Sequence, residues 1–205
     1  MLCRGQERDY GRAMAIRSLF PTLLYEADLG DSVPLDDLAH SIRSLARDDT
    51  AGIRWSRDKG YAGYTSYASL NDLPKRDPAF SDLAKALARH ATKFADECGF
   101  GLSRKPRLDS LWVNLLKPGG QHGGHIHPHS IISGTFYVEA PLASGAIRFE
   151  DPRLPLMMAA PIREETFVPI QPHPGLLLLW ESWLRHEVLP GTGRGERLSI
   201  SFNFS

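Results

Sequence analysis

Cysteine is scarce: Cys3 and Cys98 are the only two in 205 residues, which excludes a small disulfide-stapled scaffold. No run of about 18 apolar residues occurs, so no transmembrane helix is expected. The opening stretch MLCRGQERDYGR lacks the apolar core of a signal peptide. Charge of one sign is also missing, with 24 basic and 24 acidic residues cancelling. That balance gives no electrostatic footprint for nucleic acid. A small anionic ligand stays open, because one well-placed Arg suffices for it. No serine–histidine–aspartate set or paired carboxylate stands out. Glu150 and Asp151 are adjacent, so on a strand they point to opposite faces and cannot act as a dyad. The expectation is a soluble, cytoplasmic protein without membrane or nucleic-acid partners.

What is present suits one domain with a sizeable core, 42% of the residues being hydrophobic. Residues 1–13 are polar and patternless and read as a flexible N-terminal arm, leaving 14–205 as the domain. LFPTLLYEADL reads as a first strand. Pro34 opens a helix on which Leu35, Leu38, Ala39, Ile42 and Leu45 keep helical spacing. The aromatic, glycine-containing stretch 52–74 reads as a structured loop, and its portion around 55–67 is a candidate homodimer interface. A second helix follows Pro78, with Leu83, Leu87, Ala91, Phe94 and Cys98 on one stripe and Gly99 as its stop. Cys98 reads there as a small buried thiol. From about Leu108 the period changes to 2. LWVNLL, SGTFYVE, AIRFE, TFVPI, LLLLW and RLSISFNF are short runs between Gly and Pro punctuation. Six strands with no helix between them predict an antiparallel sandwich or barrel, such as a jelly roll, over 108–205, with 14–107 as its helical flank.

Four of the eight histidines fall inside GGQHGGHIHPHS: His122, His125, His127 and His129. In an extended segment His125 and His127 point to the same face, about 6.5 Å apart, and can converge on one ion. Imidazole serves iron, zinc, copper and nickel alike. A third candidate is His186, in a polar loop just beyond the apolar strand of PHPGLLLLWESWLRH. In the last strand Arg197, Ser199, Ser201 and Asn203 share one face, opposite Leu198, Ile200, Phe202 and Phe204. A polar face carrying Arg suits a barrel interior that receives a carboxylate, which a guanidinium grips with two parallel hydrogen bonds. Ser133, Thr135 and Tyr137 behave alike on their own strand. Such rows equally suit the wet side of an ordinary sandwich; the histidines favour the interior.

Taken together these residues resemble the 2-oxoglutarate/Fe(II) oxygenase superfamily, in its prolyl-hydroxylase-like branch, and a small bacterial family with an H-x-H…H metal motif. The pattern runs through Gly119, Gly120, His125, Tyr137, Pro174, Gly175, His186 and Arg197. The resemblance implies an α+β, mainly β chain, a double-stranded β-helix (jelly roll) with N-terminal helices packed on it. It implies Fe(II) held by His125 and His186, with His127 where the superfamily has Asp, and 2-oxoglutarate as co-substrate. Arg197 and Tyr137 would bind its distal carboxylate, Ser199 completing an Arg-x-Ser arrangement and Asn114 lining the pocket. His122, His129 and Trp183 are candidates for supporting or substrate contacts. The reaction implied is decarboxylation of 2-oxoglutarate coupled to oxidation of a small-molecule or protein side-chain substrate. Met157 and Met158, in a Pro- and Met-rich loop, are further candidates for substrate contact.

Two other readings compete. A cupin-type three-His metalloprotein would need no co-substrate, but it usually carries a Glu four or five residues after H-x-H, and here the next acid is Glu139. A non-enzymatic binding module would have little reason to combine the three histidines with Tyr137 and Arg197.

Overall fold

The computed structural model describes residues 16–153 and 165–205. The arm 1–13 and the pair Met157 and Met158 lie outside the described residues. Strand β1 (Leu24–Asp28) is shorter than the first apolar stretch suggested. Helix α1 (Leu35–Asp48) follows, with Asp36 and Asp37 in its first turn, where the helix dipole favours acids. It buries Leu38, Ala39 and Ile42. The stretch read as loop contains a second helix, α2 (Thr50–Asp58), and a short strand, β2 (Gly63–Thr65). Asp49 starts α2 by accepting a hydrogen bond from the Gly52 amide. Gly52 must be small: a Cβ there would stand 2.3 Å from the Asp49 carboxylate. Helix α3 (Pro78–Glu97) begins with the Asp77 cap and Pro78 in its first turn. It buries Phe80, Leu83, Leu87, Ala91 and Phe94 and stops at Gly99, φ 69°. Cys98, at the helix end, is only half-buried but still packs against the core.

The remaining strands are β3 (Leu108–Leu116), β4 (His122–His125), β5 (Ile132–Glu139), β6 (Ile147–Glu150), β7 (Phe167–Ile170), β8 (Leu176–Glu181), β9 (His186–Val188) and β10 (Arg197–Phe204). They form two antiparallel sheets, a larger one ordered β1-β8-β5-β10-β3-β2 and a smaller one ordered β4-β9-β6-β7. The protein is thus mainly β with three α-helices among the described residues. Pro169 is tolerated in β7 because that strand is the edge of its sheet.

Two cores flank the larger sheet. On one face α1 and α3 meet Leu177, Leu179, Leu198, Ile200, Phe202 and Phe204. On the other, Tyr137, Leu176, Leu178 and Trp180 meet Ile147, Phe149 and Val188 of the smaller sheet. Strand β8 is apolar from Leu176 to Trp180 because both of its faces are covered. Each fully buried Leu or Phe contributes roughly 1.5–3 kcal/mol. The polar alternate residues of β10 face away from the helices and line a cavity at one end of the inter-sheet space.

Candidate metal centre and adjoining cavity

Strand β4 sits at the edge of the smaller sheet and pairs with β9, so that His125 and His186 are direct cross-strand partners. Neither ligand-bearing strand was apparent in the sequence; His186 lies in β9, not in a loop. Past the end of β4 the chain stays close, the His127 amide donating to the Ser182 carbonyl at 3.0 Å. The ring centroids lie 5.1 Å apart for His125 and His127, 4.4 Å for His125 and His186, and 5.2 Å for His127 and His186. One ring nitrogen from each comes within 4.8 Å of the others.

Hydrogen bonds fix which nitrogen that is. The Nδ1 of His125 faces the Gly123 carbonyl at 2.8 Å, and that of His186 faces the Leu184 carbonyl at 2.9 Å. The Nδ1 of His127 faces Asn203 Oδ1 at 2.8 Å. A carbonyl oxygen only accepts, so each Nδ1 carries the proton and each Nε2 keeps its lone pair. Asn203 is held in turn, accepting from Ser133 Oγ and donating to Ser110 Oγ. His127 Nε2 is buried and has no partner among the described residues. Burial pushes the His186 ring down to about 3 and the His127 ring to about 4, the neighbouring His125 adding to the effect. Both rings are therefore neutral at neutral pH, the form that binds a metal. Trp180 packs edge-on against His186 with centroids 4.6 Å apart, and Phe149 adds a second ring contact.

The cavity holds about 360 Å³. Arg197 marks one end. It is 5% exposed, its Nη1 donates to the Gly145 carbonyl at 3.2 Å, and its Nε is buried without a partner among the described residues. The guanidinium lies 5.6 Å from the Tyr137 ring centre. Ser199 follows on the same face of β10. Asn114, opposite Ser199 on β3, accepts from Thr65 Oγ1 at 2.8 Å and donates to Ser201 Oγ at 3.0 Å. His122 also lines the cavity, its Nε2 within 2.6 Å of the Tyr61 hydroxyl. Burial, aided by the Arg197 charge, pushes the His122 ring down to about 3. His129 sits at φ 70° in the exposed turn after Pro128 and does not line the cavity. Trp183 does not line it either; it is half exposed and donates to Glu181.

Sequence reasoning missed several lining residues. Tyr61 and Thr65 come from the 52–74 stretch, and only its density of aromatics hinted at them. Asn203 was placed on the polar face of β10 without its bond to His127. Trp112 stacks on His127 at 6.0 Å with a 25° interplanar angle.

Three imidazoles, each bringing a ring nitrogen within 4.8 Å of the others, share a cavity with a buried Arg197 in a mainly β fold, an arrangement suited to hold a metal ion beside an anionic ligand. Residues 110–203 match the family model described as "Putative 2OG-Fe(II) oxygenase". Over that segment, a little under half of its length, the chain is similar to the 2OG-Fe(II) oxygenases. Among solved structures it resembles a prolyl-4-hydroxylase from Pseudomonas putida at 19% identity, covering 89% of this chain and 92% of that one, with TM-score 0.61. The viral collagen prolyl hydroxylase from Paramecium Bursaria Chlorella virus-1, solved as its 2OG complex, matches at 15% identity, coverage 88% and 94%, TM-score 0.57. HygX from Streptomyces hygroscopicus, solved with nickel and 2-oxoglutarate, matches at 14% identity, coverage 90% and 82%, TM-score 0.56. At such identities these likenesses speak for the fold. No curated protein sequence matches the chain. No helix among the described residues is long and apolar enough to cross a membrane.

Proposed function

We propose that the chain is an Fe(II), 2-oxoglutarate-dependent dioxygenase that oxidises a small-molecule or protein side-chain substrate. The reading is carried by one observation: a buried Arg197, without a carboxylate partner among the described residues, shares a cavity with three imidazoles that each bring a ring nitrogen within 4.8 Å of the others. His125, His127 and His186 hold the metal through Nε2. Gly123, Asn203 and Leu184 supply the oxygens that orient the three rings. Arg197 binds the distal carboxylate of the 2-oxo acid, with Tyr137 and Ser199 beside it and Asn114 fixing the neighbouring wall. Iron bound here supplies the chemistry that couples oxidative decarboxylation of 2-oxoglutarate to substrate oxidation. The protein's share is to position, to keep the rings neutral and to exclude water, for which Trp180, Phe149 and Ile147 form the apolar side. The two sheets form the double-stranded β-helix of that superfamily, 14–205 acting as one domain of the cytoplasm. His122 and Tyr61 contribute a polar wall near Arg197.

The 2-oxoglutarate complexes of the viral hydroxylase and of HygX support the choice of co-substrate. The cupin reading finds no support: Glu139, the first acid after His127, is engaged with Arg43 of α1 through two 2.7 Å hydrogen bonds. The test is succinate release from 2-oxoglutarate under air. Release that needs Fe(II) and disappears in His186→Ala supports the proposal. Tight metal binding without any succinate, at any substrate, refutes it.

A further inference from the structure

The cavity has a second end, which the reading above does not use. On paired strands β10 and β3, Arg197 faces Leu116 while Ser201 faces Trp112. Four residues of strand separate them, about 13 Å. The indole of Trp112 meets Tyr67 edge-on at 5.3 Å, and Tyr67 meets Trp55 at 6.1 Å. The three rings thus run outward from His127 to the surface. Tyr67 is 55% exposed and Ile126, between the two histidines in sequence, is 47% exposed. Large apolar side chains left open at a cavity mouth mark a binding surface. None of the three rings spends its N–H or O–H on another described side chain or backbone group.

Charge narrows the choice of ligand. Among the described residues no Asp or Glu lines the cavity. With a divalent metal, Arg197 and dianionic 2-oxoglutarate in place, the interior formed by the described residues carries one net positive charge. A carboxylate at position 127 would have cancelled it. A cation on the substrate would therefore meet uncompensated repulsion across a short, partly dry distance. An aromatic trio can attract cations, but in a partly dry cavity the repulsion from that excess charge opposes the gain from a ring face.

Resting on the proposed function, we infer that Trp55, Tyr67 and Trp112 form the substrate-binding face, and that it takes a ring-bearing substrate that is anionic or neutral, never cationic. The ring lies against Tyr67 and Trp112, and its acceptor atoms use the free donors of the three aromatics.

The test compares phenylacetate, benzyl alcohol and benzylamine, which share one ring and differ in charge. Binding to protein loaded with Zn(II) and saturating 2-oxoglutarate is followed by saturation-transfer NMR and tryptophan fluorescence. The acid is expected to bind at least tenfold more tightly than the amine, with the alcohol between. Tyr67→Ala and Trp55→Ala each weaken the acid several-fold. Both residues are partly exposed, so neither change opens the core. His127→Asp shrinks the gap between acid and amine, because it removes the excess charge and leaves the rings in place. An amine that binds as well as the acid overturns the inference, as does full affinity in Tyr67→Ala. Failure of Zn(II) and 2-oxoglutarate to bind refutes instead the function on which it rests.

Discussion

His125 and His186 face each other as direct partners across β4 and β9, their ring centroids 4.4 Å apart. The ligand pair is therefore set by backbone register, while His127, beyond the strand, depends on a side chain for its orientation. Asn203→Ala removes the acceptor at His127 Nδ1. Metal affinity is expected to fall about 10–100-fold in a chelator-competition titration, with His125→Ala and His186→Ala losing the site altogether. Unchanged affinity in Asn203→Ala would contradict the assignment of His127.

Arg197→Ala is expected to weaken 2-oxoglutarate binding by about 1.5–3 kcal/mol, the usual worth of a hydrogen bond to a charged group. Arg197→Lys keeps the charge but loses the fork, so it should recover only part. Calorimetric titration of the metal-loaded protein checks both.

Gly145→Ala is expected to destabilise the fold by roughly 1–3 kcal/mol or more, seen as a lower Tm. An added Cβ would stand 1.6 Å from the Leu189 carbonyl oxygen. The same shift displaces the Gly145 carbonyl that holds Arg197, so 2-oxoglutarate affinity should fall as well.

Asp49 joins three pieces of the flank. It caps α2 and accepts from Tyr64 Oη at 2.8 Å and Ser69 Oγ at 2.5 Å. Burial alone would raise its carboxyl, but the bonds from Ser69, Gly52 and Tyr64 outweigh it and hold the group below the ordinary range. A depressed folded value means that this stabilisation is present above the unfolded carboxyl value near 4 and is lost as pH falls through the folded one. Asp49→Ala should cost about 1–2 kcal/mol at neutral pH, and the difference in Tm from the parent should shrink in acid.

The helix-then-strand order was legible because its signals are local. The stripe Leu83, Leu87, Ala91 and Phe94 announced α3, and the alternation of β10 announced which residues would line an interior. The three histidines stood out by type and order. Strands β4 and β9 did not: His122–His125 contains two glycines, and His186–Val188 is only three residues long. Their pairing is written in each other, not in their own composition. Helix α2 escaped notice for a related reason. It spans nine residues with a glycine inside, and its start depends on a cap locked by Tyr64 and Ser69 further along the chain.

Strand β2 lies on the free edge of the larger sheet, and the segment around it brings Trp55, Tyr61 and Tyr67 to the cavity from outside the matched residues 110–203. Two of the three rings of the proposed substrate face thus come from a stretch of chain separate from the one that carries the histidines. An edge graft can be exchanged without unthreading the sheet, so replacing 50–67 as one cassette should redirect which molecule is oxidised while the histidine triplet keeps its shape.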